Sequence, residues 1–205
     1  MTKIKICGIT NKIDAIEAAR LDVDMLGFVF YKKSPRCVTP AIVRDIANEL
    51  PGFVAKVGVF VDEDKVSVEG TAEDAGLDIL QFHGDETPEY CSWFKGKYKV
   101  IKAFRIKSKD DLKSVNDYDV DYFLFDNYDK DAKGGTGRTF DWKALAGFEF
   151  LKPFILSGGL TPANVEGAIM EIAPYGVDVS SGIEKSPGKK DLILMRKFVE
   201  NVRRA

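Results

Sequence analysis

Histidine is nearly absent from this 205-residue chain: His83 stands alone, so no site can be built from several imidazoles, although carboxylates could still hold Mg²⁺. The three cysteines, Cys7, Cys37 and Cys91, are odd in number, far apart and without a C-x-x-C pair. That spacing argues against a disulfide framework and a structural zinc site, and reduced thiols are expected. Neither sign of charge prevails, since 30 basic and 32 acidic side chains leave a formal net charge of -2. No global pull toward nucleic acid or an anionic membrane follows, and any anionic ligand must be held locally. The longest stretch free of Asp, Glu, Lys and Arg runs from Pro153 to Val165, too short and too polar to span a bilayer. The N-terminus alternates Lys and Ile and shows no basic segment followed by an apolar run, so a cytoplasmic location is expected. There is no long Ser/Gly/Pro linker, low-complexity tract or shift in composition, and one domain over residues 1–205 is expected.

What the chain does contain is a recurrence of short apolar, β-branched segments: Ile4 to Ile9, Met25 to Phe30, Phe53 to Phe60, Ile79 to Phe82, Lys99 to Phe104, Tyr122 to Asp126, Phe154 to Ser157 and Val177 to Ser180. Their two-sided hydrophobic character fits strands buried between a core and a helix layer. Between them lie stretches of helical period, such as Val43, Ile46 and Leu50, or Leu192, Met195, Val199 and Val202. Thr39-Pro40, Thr87-Pro88 and Thr161-Pro162 each offer a capping hydroxyl before a proline suited to the first helical position. A third helix within Asp62 to Ala75 has a weak stripe interrupted by Gly70, and a sixth near Trp142 to Phe148 is short. Strand–helix alternation demands a mainly parallel sheet, and eight units allow about 26 residues each, near the lower limit for a closed (β/α)₈ TIM barrel. An open doubly wound sheet is the alternative, because pattern alone does not tell closure from openness.

In a barrel the reactive face carries the loops that follow the strands. There the chain places Cys7-Gly8-Ile9-Thr10, Ser34-Pro35-Arg36, Gln81-Phe82-His83-Gly84, Asp126, Ser157-Gly158-Gly159 and Asp178-Val179-Ser180-Ser181-Gly182. The two glycine-rich corners after strands seven and eight suit phosphate, since small residues let backbone N–H groups approach the oxygens; Gly134-Gly135-Thr136-Gly137 could add donors. Tight βα turns would look the same.

Cys7, at a strand end beside a helix start, is a candidate whose thiolate the helix dipole could favour, although a cysteine there can also be a small buried hydrophobe. Asp126 ends an apolar run, a setting that disfavours a carboxylate and suits a proton donor, or else it caps a turn. Arg36 could grip a carboxylate by two hydrogen bonds. His83 is placed with Gln81 behind the reacting groups, its partner unspecified. Lys56 and Lys102 lie within strands, where an inward lysine would imply a buried ion pair or a Schiff base.

In order along the chain, Lys5-Ile6-Cys7-Gly8-Ile9-Thr10, Gly27-Phe28-Val29-Phe30, Ser34-Pro35-Arg36, Gln81-Phe82-His83-Gly84, Gly134-Gly135-Thr136-Gly137 with Phe140-Asp141-Trp142, Leu156-Ser157-Gly158-Gly159-Leu160 and Val177-Asp178-Val179-Ser180-Ser181-Gly182-Ile183-Glu184 resemble the phosphoribosylanthranilate isomerase family of tryptophan biosynthesis. Phe82 stands where that family usually has Leu, and Asn127 where Ser or Thr is common. The resemblance implies an Amadori rearrangement of an aminoaldose phosphate to an aminoketose phosphate without a cofactor or metal, by a monomer or homodimer. It implies Asp126 as general acid on the furanose ring oxygen and Cys7 as general base at C2'. Arg36 would hold the anthranilate carboxylate, and Gly135, Gly158, Gly159, Ser180, Ser181 and Gly182 the phosphate. Asp178 would orient a substrate hydroxyl or amine. Since a free thiol is only a few per cent ionised at pH 7, a site that lowers the Cys7 pKa is expected. Two other readings remain open: a Schiff-base barrel enzyme using Lys56 or Lys102, and a barrel that binds a sugar phosphate without turning it over.

Overall fold

The computed structural model describes residues 1–127, 142–145 and 147–205. Eight strands, β1 Lys3–Cys7, β2 Met25–Val29, β3 Ala55–Phe60, β4 Ile79–Phe82, β5 Lys99–Ile106, β6 Tyr122–Asn127, β7 Phe154–Leu156 and β8 Gly176–Val179, form a closed barrel in chain order. Each pairs in parallel with its neighbours, and β8 returns to β1 through Ile4 opposite Val177 and Lys5 opposite Asp178. Closure removes the open-sheet alternative. The strands fall within a few residues of the apolar runs that announce them, the ends being least legible because fraying and loop geometry set them.

Around the barrel lie α1 Lys12–Arg20, α2 Pro40–Ala47, α3 Lys65–Ala75, α4 Pro88–Ser92, α5 Val165–Ile172 and α6 Leu192–Arg204. Thr39 and Thr87 cap α2 and α4 as expected, each accepting from the backbone N–H three residues on. Thr161 does not cap α5. Its hydroxyl accepts from Ala163 N and its own N–H donates to Asn164 Oδ1, so the segment turns once before Asn164 begins the helix. After β5 two 3₁₀ turns, Lys109–Leu112 and Val115–Asp117, replace a full helix, and Trp142–Leu145 is another such turn. A hairpin of β9 Glu184–Ser186 and β10 Lys189–Lys190 follows β8; no hydrophobic alternation announces it. Among the described residues no helix is long and apolar enough to cross a membrane.

Side chains alternate inward and outward along each strand. The outward set (Ile4, Ile6, Leu26, Phe28, Leu80, Phe82, Val100, Phe123, Phe125) joins the helix faces in the larger core. The inward set fills the lower barrel with Met25, Val57, Ile79, Ile101, Ala103, Leu124 and Ile155. Lys56 and Lys102 are out of phase with these and face outward. Lys56 pairs with Asp78 at 2.6 Å, and Lys102 is buried against Glu86 at 2.7 Å and the Gly84 carbonyl at 2.8 Å. They are ion pairs, and the expectation of a Schiff-base lysine at the reacting centre falls with them.

Cys91, buried in the outer core, has its thiol pushed by burial from the ordinary 9.0 up to about 12, Lys102 pulling it down and Glu86 adding to the rise. The folded chain therefore keeps a proton that the unfolded chain loses. Its contribution to stability is complete below pH 9 and is lost as pH rises toward 12, at about 1.4 kcal/mol per pH unit. Urea unfolding between pH 9 and 11 checks this. Cys91→Ala starts less stable, because it leaves a cavity, but its stability falls with pH more gently by about that slope; parallel curves would refute the assignment.

Candidate active site

Above the apolar floor, the inward positions become polar. Cys7, Gln81, His83, Asp126, Ser157, Asp178 and Ser180 project toward a cleft at the C-terminal ends of the strands, joined by Arg36, Gly158, Gly159, Ser181 and Gly182 from the loops. The cleft holds about 750 Å³ counting its open mouth. Apart from the outward-facing Lys56 and Lys102, every described candidate residue lines this one cavity, whereas Gly135 and its neighbours lie outside the described residues.

The end of the cleft is formed by the loops after β7 and β8, and their glycines are required by contact. A β-carbon on Gly182 would sit 1.9 Å from the Leu160 carbonyl oxygen, so the two loops interlock backbone to backbone. Gly158 has φ +83°, and a β-carbon there would meet Asn127 N at 2.5 Å and Asp126 Oδ1 at 3.0 Å. Held by these contacts, Gly158, Gly159 and Gly182 line the cleft here together with Ser180 and Ser181.

On β6, Asp126 is buried but not surrounded by hydrocarbon alone, which corrects the expectation of an apolar setting. Oδ1 accepts from Asn127 N at 2.8 Å, and Oδ2 lies 3.2 Å from His83 Nε2. Gln81 supplies the partner that the sequence left unspecified: its amide nitrogen is 3.1 Å from His83 Nδ1. With the amide donating to Nδ1, a neutral ring carries its proton on Nε2, on the Asp126 side. The two groups are in contact, but Nε2 makes no hydrogen bond in this geometry.

Arg36 is held before any ligand arrives. Its Nε and Nη2 donate to Glu184 at 2.9 and 2.6 Å, a bidentate pair only 12% and 4% exposed at the side chains. Hydrogen bonding to Glu184 raises the guanidinium pKa against the opposing effect of burial. Burial alone would raise the Glu184 carboxyl; Arg36 and Lys190 outweigh it and hold the carboxyl below its ordinary value. Lys190 Nζ donates to Glu184 Oε1 at 2.8 Å, to the Cys7 carbonyl at 2.6 Å and to the Ser180 carbonyl at 3.2 Å. Neither Glu184 nor Lys190 was identifiable as a site residue by strand-end reasoning, because the hairpin brings them back to the cleft from beyond the last strand.

Cys7 is 9% exposed, and burial, the largest influence, pushes its thiol above the ordinary value. Asp178 adds to the rise, while Lys5 and Lys190 oppose it. The expected lowering is thus reversed: a strand end facing a closed barrel desolvates the sulfur more than nearby cations compensate. Asp178 gives one oxygen to Lys5 Nζ at 3.0 Å and faces the Ser157 hydroxyl at 3.4 Å with the other. Its first partner is therefore a lysine of the barrel floor, not the ligand space. Lys5 shares the inward phase of Cys7 two residues earlier, a signal legible in the alternation of Lys3, Lys5 and Cys7.

Comparison with known proteins agrees with this geometry. The profile of the N-(5'phosphoribosyl)anthranilate (PRA) isomerase family matches residues 4–201. The chain is 47% identical over 203 residues to the N-(5'-phosphoribosyl)anthranilate isomerase of Geotalea uraniireducens, covering 99% of each chain. It superposes on the crystal structure of phosphoribosyl anthranilate isomerase from Thermotoga maritima with a TM-score of 0.92 at 38% identity, and on a phosphoribosyl anthranilate isomerase in complex with reduced 1-(o-carboxyphenylamino)-1-deoxyribulose 5-phosphate with 0.89 at 36%, each pair covered in full. With the same closed barrel and a match from β1 to α6, the chain belongs to the N-(5'-phosphoribosyl)anthranilate isomerase family.

Proposed function

We propose that this isomerase of tryptophan biosynthesis converts N-(5'-phosphoribosyl)anthranilate to 1-(2-carboxyphenylamino)-1-deoxyribulose 5-phosphate by acid–base chemistry alone, with Asp126 as general acid and Cys7 as general base. One observation carries the reading: a carboxyl on β6 and a thiol on β1 enter one cleft from strands well separated around the barrel, beside a corner rich in glycine and serine.

Protonated Asp126 gives its proton to the furanose ring oxygen. The bond from C1' to that oxygen breaks, and the anthranilate nitrogen lone pair forms a C1'=N iminium. Its positive charge acidifies the C2' proton, which the Cys7 thiolate removes; the C2'–H electrons form C1'=C2', and the iminium pair returns to nitrogen. The resulting enolamine becomes the ketone when Cys7 returns its proton to C1' and the 2'-hydroxyl proton passes to Asp126. Both groups end as they began, and the rearrangement has no net oxidation, so no cofactor is called for. Arg36, with three N–H donors left over from Glu184, suits the anthranilate carboxylate, and the corner of Gly158, Gly159, Ser180, Ser181 and Gly182 suits the phosphate.

Turnover of freshly generated phosphoribosylanthranilate in excess EDTA tests the whole reading. Ketose formation that persists with chelator is expected; a well-folded protein giving none, or activity restored only by added metal, would overturn it.

A further inference from the structure

We propose that Lys5 is a positioning residue for this reaction, its ammonium held beside the Cys7 sulfur by Asp178 so that the thiolate forms against a fixed positive charge. The proposal rests on the reading of Cys7 as the base and adds what makes a buried thiol usable as one.

The geometry is set by register. Lys5 and Cys7 are two residues apart on β1 and so face the same interior, with Met25 and Gly27 opposite them on β2 and Asp178 opposite Lys5 on β8. Gly27 leaves open the space that both side chains use: a β-carbon there would lie 2.8 Å from Cys7 Sγ and 3.0 Å from Lys5 Nζ. The sulfur and the ammonium thus flank one missing methyl group. Asp178 Oδ1 fixes the ammonium from the other side at 3.0 Å, and Lys5 has no solvent exposure.

A fully buried lysine without a partner sheds its proton. Burial here works in that direction, yet Asp178 and Cys7 together carry the Lys5 pKa above its ordinary value, so the residue is an ammonium at neutral pH. Cys7 is faced by Lys5 from its own strand, Asp178 from β8, Lys190 from β10 and Arg36 from the loop after β2. Lys190 is already committed to Glu184 and two carbonyls, and Arg36 to Glu184. Lys5 is the cation with the largest opposing effect on the thiol, and it approaches the sulfur from below, leaving the mouth side free for substrate. Asp178 works against the thiolate, which is the cost of keeping a fully buried ammonium charged.

The test uses Lys5→Met in a Cys37→Ser background, so that the exposed thiol does not report. The pH dependence of iodoacetamide alkylation reads the titration of Cys7 directly, and steady-state kinetics reads its use. We expect the alkylation midpoint to rise by about one pH unit or more, the ascending limb of the kcat/KM profile to move with it, and KM to stay within about threefold of the parent. Lys5→Met strands Asp178; should it fail to fold, Lys5→Met with Asp178→Asn removes the pair as a unit and shifts the midpoint the same way by less. An unshifted midpoint in the folded variant overturns the proposal. A shifted midpoint with unchanged kcat leaves Lys5 as the charge that tunes the thiol but removes Cys7 from the role of base, as would full activity of Cys7→Ala.

Discussion

Asp126→Asn lowers kcat by about 10³-fold while leaving KM and product affinity nearly unchanged. The substitution is close to isosteric. An asparagine oxygen can still accept from Asn127 N, and the side chain fits beside Gly158, where the space is shaped to the Asp126 oxygen. On the proposed mechanism, what disappears is the acidic proton for the ring oxygen, without which the C1'–oxygen bond must break to leave an alkoxide. General acid catalysis is worth about 10²–10⁴-fold, and the expected loss sits in the middle of that range. Steady-state kinetics with the product titrated by fluorescence checks both halves. Activity within tenfold of the parent would remove Asp126 from the mechanism, and His83, 3.2 Å away, would become the group to test.

Arg36→Met has the opposite signature: KM rises about 100-fold and kcat changes only a few-fold. Losing one side of a charge-assisted, partly desolvated pair costs about 2–5 kcal/mol, which is about 30-fold or more in affinity. The enzyme survives the change because Glu184 is not stranded by it: Lys190 Nζ remains at 2.8 Å and Gly188 N at 3.3 Å. In the proposed binding mode the carboxylate of the substrate lies away from the bonds that change, so its contact with Arg36 is made equally in ground and transition states and enters KM. The same variant assayed with a substrate analogue lacking the carboxylate should show almost no further loss. A fall in kcat with KM intact would place Arg36 at the reacting centre instead.

The sequence exposed the barrel and most of its lip for a physical reason. Strands buried on both faces are continuous apolar runs, and the phase of two along each run decides which residues meet the interior. Cys7, Gln81, His83, Asp126, Ser157 and Asp178 share that interior, and glycines at the ends of β7 and β8 are forced by contacts as close as Gly182 to Leu160. The same phase, applied to β3 and β5, would have turned Lys56 and Lys102 outward from the start and singled out Lys5. Other features were illegible because they depend on tertiary surroundings. The upward push on the Cys7 thiol comes from desolvation in the closed barrel, overriding what a strand end beside a helix start suggests. Glu184 and Lys190 reach the site through a hairpin whose seven residues, Glu184 to Lys190, carry no hydrophobic pattern, and Thr161 is diverted from capping by Asn164.

The return of that hairpin has a consequence for how the molecule comes to be active. Lys190 grips the carbonyl of Cys7 across 183 positions of chain, and Asp178 meets Lys5 across 173. Such contacts join the first strand to the last, and closing so long a loop delays their formation relative to local pairing. Until the chain has been made through Lys190, the ammonium lacks its Asp178 anchor, the Cys7 carbonyl its Lys190 donor and the guanidinium its Glu184 brace. Turnover is then a late reporter of folding: it begins when the two ends of the polypeptide have found each other.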